Sequence, residues 1–299
     1  PAPNNAGLPE KIIVRPRTQM EIEVLDTWKE VLGIDTCGVT DSFFELGGNS
    51  LTALQLTQQL ETKLETSIPV ALLFEASTVE DLIAAIQMSE TKKRAPTSII
   101  SLQPRGRKRP WFLVHPLAGS PLVYLDLSRC LGREQPCYGL QARGMDDDRR
   151  PLSSIEAMAG AYIEEIRRIS PDGPYYLAGW SLGGMIAFEM ACQLESAGDE
   201  VANLLIIDAA PHDIFDTTSE SLDEDEIAFA ARTMNIGVSA EGARQARLRE
   251  LLTNAVAAKV LPIWFDLRRL QQLVQVINSS HRAYADYHPR RSTRALTFV

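Results

Sequence analysis

The sequence predicts two domains of different class, a small helical bundle followed by a larger α/β domain. Three observations carry this. Roughly the first ninety residues show only helical apolar periodicity broken by loops. From residue 99 onward, short and nearly continuous apolar runs alternate with helical stretches, the pattern of a mostly parallel sheet covered on both faces. Between the two lies 89–98, a polar stretch with the basic run Lys92-Lys93-Arg94 and Pro96, which reads as an interdomain linker. A length of 299 residues is ample for two domains.

Residues 1–17, with Pro9, Pro16 and no helical period, read as a leading linker. Thr18-Gln19-Met20-Glu21 forms a capping box that starts a helix. Its apolar stripe is Met20, Ile22, Val24, Leu25, Trp28, Val31 and Leu32, and Gly33 ends it. A second helix is expected over 50–64 with Leu51, Leu54, Leu56 and Leu60 facing inward, then a short helical turn at 69–74. Thr78 opens a last helix carrying Leu82, Ile83 and Ile86. The bundle thus spans 18–88.

A double glycine precedes the second helix: Phe43-Phe44-Glu45-Leu46-Gly47-Gly48-Asn49-Ser50-Leu51. A serine at a helix start is most often a cap, but the two glycines clear space around this one. The stretch resembles the attachment motif of the peptidyl carrier domains of nonribosomal peptide synthetases and matches every fixed position. That resemblance implies that Ser50 carries phosphopantetheine, added by a phosphopantetheinyl transferase, and a helix N-terminus favours the phosphate diester. Acyl carrier domains of polyketide synthases look similar but usually have Asp before the serine, so Asn49 leans toward the peptidyl type.

In the second domain, strands are expected at 99–102, 111–114, 136–141, 175–178 and 204–207, and helices at about 121–131, 155–170 and 183–197. The strand at 175–178 runs into Gly179-Trp180-Ser181-Leu182-Gly183, with a helical pattern directly after it. Strand, Gly-x-Ser-x-Gly and helix together are the nucleophile-elbow pattern, in which a tight turn holds a serine hydroxyl clear of the sheet. With Ser181 on that turn, the fold expected is the α/β-hydrolase. Gly179 and Gly183 permit close backbone approach, and the turn aims the Leu182 N–H at a developing oxyanion. Val114-His115-Pro116-Leu117-Ala118-Gly119 follows another strand and offers a second such donor, the N–H of Leu117. His115 precedes the serine and abuts a proline, so it reads as shaping that loop. Asp208 ends the apolar run Leu204-Leu205-Ile206-Ile207, 27 residues after Ser181, which places it at the same sheet edge as the acid that orients a base.

Together these features resemble the type I thioesterase domains that end nonribosomal peptide and polyketide synthases. The resemblance implies an acyl or peptidyl thioester substrate, a Ser-His-Asp mechanism and upstream synthetase domains as partners. Residues 213–290 are polar and helical and read as a lid over the site, whose apolar residues Leu248, Leu252, Val256, Trp264, Leu270 and Val274 either line an acyl channel or, as the fuller expectation, pack the lid helices together. The histidines are His115, His212, His281 and His288, and none follows a final strand. A last strand is expected to begin at Ala295. In the family the histidine comes after that strand, so the expectation is that the base, the last strand and the last helix lie beyond Val299, and that 99–299 is a C-terminally incomplete thioesterase domain with little turnover.

Charge bears on partners. The net charge of −9 resides entirely in residues 1–90, which hold 5 Lys/Arg against 14 Asp/Glu. That argues against nucleic acid and for docking on basic protein surfaces. No apolar run approaches the roughly 20 residues of a membrane span. Cys37, Cys130, Cys137 and Cys192 form no C-x-x-C pair, so reduced thiols in a cytoplasmic protein are expected, with a Cys130–Cys137 disulfide as the lesser alternative. The rival functions are a non-catalytic acyl-carrier and docking module, and a free-standing serine esterase.

Overall fold

The computed structural model describes residues 13–64, 66, 68, 70–91, 97–145, 149–210, 225–261, 265–290 and 297–298. The chain separates into two compact units, Pro1–Arg94 and Ala95–Val299.

The first unit holds α1 (Gln19–Leu32), α2 (Ser50–Leu64), α3 (Val70–Glu75) and α4 (Val79–Thr91). Thr18 and Glu21 close the expected capping box, and Gly33 ends α1 in the left-handed region at φ 65°. The core is built from Val24, Leu25 and Trp28 of α1, Leu56 and Leu60 of α2, and Leu82 and Ile86 of α4. Phe43 joins them, its ring 5.3 Å from Trp28 and edge-on to it. One expectation is corrected here. Leu51 is 54% exposed, because the helical stripe that faces the core starts at Ala53 and continues through Leu56 and Leu60.

Among the described residues, the second unit holds a six-stranded sheet of β1 (Ile99–Gln103), β2 (Trp111–Val114), β3 (Cys137–Leu140), β4 (Tyr175–Trp180), β5 (Val201–Ile207) and β6 (Thr297–Phe298), in the order β1-β3-β2-β4-β5-β6. Among the described residues, β1 alone runs antiparallel, against β3, and the other pairs are parallel. Between β2 and β3 the expected single helix is a 3-10 turn, Pro121–Tyr124, followed by α5 (Leu125–Cys130). Pro121 opens the turn at a position whose N–H would have no partner, and Ser120 caps it by accepting the Leu122 N–H at 3.4 Å. Next come α6 (Ile155–Arg167), between β3 and β4, and α7 (Leu182–Ser196), between β4 and β5. Their buried faces merge with the strands into one core, with Phe112, Tyr162, Tyr175, Leu177 and Ile186 among its members.

After β5 the chain forms α8 (Glu226–Thr233), α9 (Arg244–Ala257) and α10 (Leu267–Ala285). These helices share a second core that includes Leu248, Leu270 and Val274, with Leu252 and Val256 packed against it. The lid residues therefore pack against one another, as the fuller expectation had it; Trp264 and residues 213–224 lie outside the described residues. The end of α10 is fastened to the sheet domain. Tyr284 Oη donates to the Ala210 carbonyl at 2.6 Å, and Tyr287 Oη donates to the Glu189 carboxylate on α7 at 2.9 Å. All four cysteines are free thiols. Among the described residues no helix is long and apolar enough to cross a membrane.

Candidate active site and carrier attachment site

The strand order reverses between β2 and β4. The chain leaves β2 toward β3 on one side and leaves β4 toward β5 on the other. Crevices at the carboxyl ends of strands at such a reversal are where open α/β sheets bind ligands. Ser181 and the 115–119 loop both stand there.

Ser181 connects β4 to α7 and adopts φ 55°, ψ −129°. A positive φ in a residue with a Cβ is strained, and this turn is overdetermined by its neighbours. The Ser181 N–H donates to the Ile207 carbonyl at 2.9 Å, and the Ser181 carbonyl accepts the Gly184 N–H at 2.9 Å. A Cβ on Gly179 would stand 2.0 Å from the Gly183 carbonyl oxygen, and one on Gly183 would stand 2.3 Å from the Val114 carbonyl oxygen. The glycines of the motif thus let α7 start directly against β4 and β2. Leu182 opens α7, and a first-turn amide of a helix has no intrahelical acceptor.

Asp208 is the residue after Ile207, so the bond from the Ser181 amide sets the serine and the aspartate side by side at the sheet edge. It also has a positive φ, 45°, and its side chain is exposed. On the other flank, the loop after β2 turns back on itself through the Gly119 N–H bonded to the Pro116 carbonyl at 2.9 Å. Leu117 lies in this turn, half-buried, and packs against both the sheet core and the helical insertion. A Cβ on Gly119 would meet Val276 of α10 at 2.6 Å, so the insertion covers this loop directly.

His115 is fully buried. Its Nδ1 lies 2.8 Å from the Pro116 carbonyl, which can only accept, so Nδ1 carries the proton. Nε2 then accepts from Tyr162 Oη at 2.6 Å. Burial lowers its pKa to about 4. With both ring nitrogens occupied, His115 braces the loop, in keeping with the shaping role read from the sequence. His281 on α10 has its ring centroid 4.1 Å from that of Phe229. His288 is exposed, with Nδ1 3.1 Å from the Asp286 carbonyl. His212 lies outside the described residues. A cleft of about 370 Å³ at the end of α8, lined by Ala228, Arg232 and Val238 among others, belongs to the insertion and includes none of the expected site residues.

In the first unit, the attachment motif divides its labour. Phe43 is in the core, and a Cβ on Gly48 would stand 2.3 Å from its ring, so this glycine permits the tight turn. Gly47 has φ 103° and open space around its Cα. Asn49 supplies the cap: its Oδ1 accepts the amides of Leu51 at 2.9 Å and Thr52 at 3.1 Å. Ser50 is the first residue of α2 and is not needed as the cap. The exposed Leu51 beside it leaves an apolar surface at the mouth of the turn. The turn is open at Gly47 and is capped by Asn49. Sequence reasoning missed both the Asn49 cap and the exposure of Leu51; the Asn at the residue before the helix was the available signal for the first.

Comparison with known proteins shows the families of both domains. Residues 109–298 match the thioesterase domain family, and residues 23–86 match the phosphopantetheine attachment site family. A dimodular nonribosomal peptide synthase of Bacillus subtilis (strain 168) is 39% identical over 215 residues, covering 72% of this chain and 9% of that protein. Indigoidine synthase of Dickeya dadantii (strain 3937) is 41% identical over 203 residues, covering 68% of this chain and 14% of that protein. The chain thus spans a small fraction of either relative. A crystal structure of a four-domain nonribosomal peptide synthetase bound to AMP and glycine matches 99% of this chain and 23% of its own, at 29% identity and a TM-score of 0.62.

Proposed function

Given that the chain belongs to the thioesterase domain family and carries a phosphopantetheine attachment domain ahead of that domain, we propose that it releases acyl or peptidyl chains from a carrier by way of an ester on Ser181. The carrier domain is assigned to 18–88 and the thioesterase domain to 99–299, with 213–290 as its lid. Ser50 is the attachment residue, and the group bound there supplies a flexible arm ending in a thiol that holds acyl chains as thioesters. The upstream partners are other synthetase domains and a phosphopantetheinyl transferase.

Ser181 Oγ attacks the thioester carbonyl and gives its proton to a base. The carbonyl oxygen becomes negative and is held by the N–H groups of Leu182 and Leu117, an interaction worth about 3 kcal/mol per donor. Collapse breaks the C–S bond, the thiol leaves with a proton, and the acyl group remains on Ser181 as an ester. Water, or a nucleophile within the chain itself, then takes the acyl group and returns the proton to Ser181. Asp208 orients the base and stabilises its imidazolium. We assign none of His115, His281 and His288 to the base: both ring nitrogens of His115 are engaged, His281 packs on Phe229 within the helical insertion, and His288 is exposed beyond α10.

The observation that carries this reading is the strained Ser181 between β4 and α7, its amide bonded to the carbonyl just before Asp208. The attachment domain disfavours a free-standing esterase. The test is labelling of the full-length protein by a fluorophosphonate, with the site read by mass spectrometry. Labelling should vanish in Ser181→Ala; labelling that survives this change refutes the nucleophile assignment. In parallel, a promiscuous phosphopantetheinyl transferase with coenzyme A should add one phosphopantetheine mass to the chain and none to Ser50→Ala.

A further inference from the structure

The nucleophile turn and the Leu117 loop leave from neighbouring strands, and one side chain ties those strands together where they end. Tyr124 closes the 3-10 turn and is 4% exposed. Its hydroxyl donates to the Val114 carbonyl at 2.7 Å and accepts the Trp180 N–H at 2.8 Å. Val114 is the last residue of β2, three before Leu117. Trp180 is the last residue of β4, directly before Ser181. The β2–β4 register ends at Val114 opposite Gly179, so the hydroxyl sits on the final rung of that seam.

The turn that delivers Tyr124 is itself held against the sheet. Pro121 fills the space beside Gly139 of β3, where a Cβ would come within 2.6 Å of it. The turn that carries Tyr124 is thus packed directly against β3. Burial raises its pKa to about 12, so it remains a neutral hydroxyl that donates and accepts at once over the working pH range.

We propose that Tyr124 is a positioning residue for acyl transfer, whose hydroxyl sets the spacing between the Leu182 and Leu117 amides and so the width of the oxyanion hole. This rests on Ser181 being the nucleophile and deepens that reading by adding a residue that no motif contains. Two donors act on one oxyanion only when both lie about 2.7–3.1 Å from it. A small spreading of β2 from β4 takes one of them out of reach while leaving the apolar contacts that bind the substrate in place. The loss should therefore fall on the chemical step and spare binding.

The experiment is saturation labelling of the full chain by a fluorophosphonate, whose phosphoryl oxygen seats in the same hole, with the maximal rate and the half-saturating concentration read separately. Tyr124→Phe keeps the ring and removes only the hydroxyl. Its maximal labelling rate should fall about 10–100-fold, with half-saturation within about twofold of wild type. The loss should persist far below the variant's unfolding midpoint and leave the shape of the pH profile unchanged. A maximal rate within twofold of wild type, or a loss carried by half-saturation, overturns the proposal. Should the Phe variant not fold, p-aminophenylalanine at position 124 keeps a donor for the Val114 carbonyl and gives up most of the acceptor for the Trp180 N–H; an intermediate maximal rate supports the proposal and a wild-type rate overturns it. Ser181→Ala separates the two readings. If it still labels, the nucleophile assignment has failed; if it does not label while Tyr124→Phe behaves as wild type, the positioning role alone has failed.

Discussion

Replacing Gly179 with Ala tests how tightly the elbow is built. The added Cβ would stand 2.0 Å from the Gly183 carbonyl oxygen and 2.5 Å from the Gly184 nitrogen, both backbone atoms of the first turn of α7. Reaching the 3.4 Å of ordinary contact requires the helix start to retreat by about 1.4 Å. It has little room to do so, because Ile186 and Met190 lie fully buried one and two turns on. Overpacking of a closed core costs about 1–3 kcal/mol, and with backbone as the obstacle we expect about 3 kcal/mol in urea unfolding. The same retreat carries the Leu182 amide and the Ser181 hydroxyl off their positions, and a misplacement of about 1 Å costs roughly a hundredfold in rate. Fluorophosphonate labelling of the folded variant should slow by about that factor. Gly160→Ala is the control: it lies inside α6, where its Cβ would meet nothing nearer than Gln193 Oε1 at 3.5 Å, and it should stabilise by about 0.5–1 kcal/mol. If Gly179→Ala unfolds within about 0.5 kcal/mol of wild type and labels normally, the close packing of elbow on helix has no energetic consequence and the reasoning fails.

Two further outcomes follow from buried polar groups. The His115 pKa is lowered to about 4, so between about pH 6.5 and pH 4 the unfolded chain binds a proton that the folded chain does not. Stability due to this residue is therefore present at neutral pH and is lost as pH falls through that window. Between pH 7 and pH 5 it amounts to about 2 kcal/mol, and urea unfolding of His115→Asn should show a pH dependence flatter by that amount; an unchanged slope would mean that His115 is not buried neutral. Glu189 is 1% exposed in the middle of α7 and receives the Tyr287 hydroxyl from beyond α10. Tyr287→Phe withdraws that donor, although Gln193 Nε2 still bonds the other carboxylate oxygen at 2.9 Å. We expect a loss of about 1–3 kcal/mol, together with earlier proteolysis of the helical insertion; resistance equal to wild type would show that the latch does not hold the insertion down.

Which parts of this molecule could be read from its sequence follows from how far apart the interacting residues lie. The elbow glycines were legible because their constraint is local: Gly179 and Gly183 are separated by one turn and answer to each other. The alternating strands and helices of 99–207 were legible for the same reason, since each apolar run reports its own burial, and β6 at Thr297–Phe298 falls within the strand expected from Ala295. Leu51 was misplaced because a stripe of leucines states a period without stating which edge of it meets solvent; Ala53, too small to stand out in the pattern, marks the true inner face. Tyr124 was invisible. Its hydroxyl bonds Trp180 across 56 positions, and Glu189 meets Tyr287 across 98. A tyrosine at the end of a short turn and a glutamate in an apolar helix each look unremarked until the fold brings the partner in. The motif serine and its glycines determine that a nucleophile is presented, because local backbone sterics suffice for that. How widely its oxyanion donors are spaced depends on a strand-to-strand clasp, and such a clasp is assembled by topology from residues whose own neighbourhoods carry no trace of it.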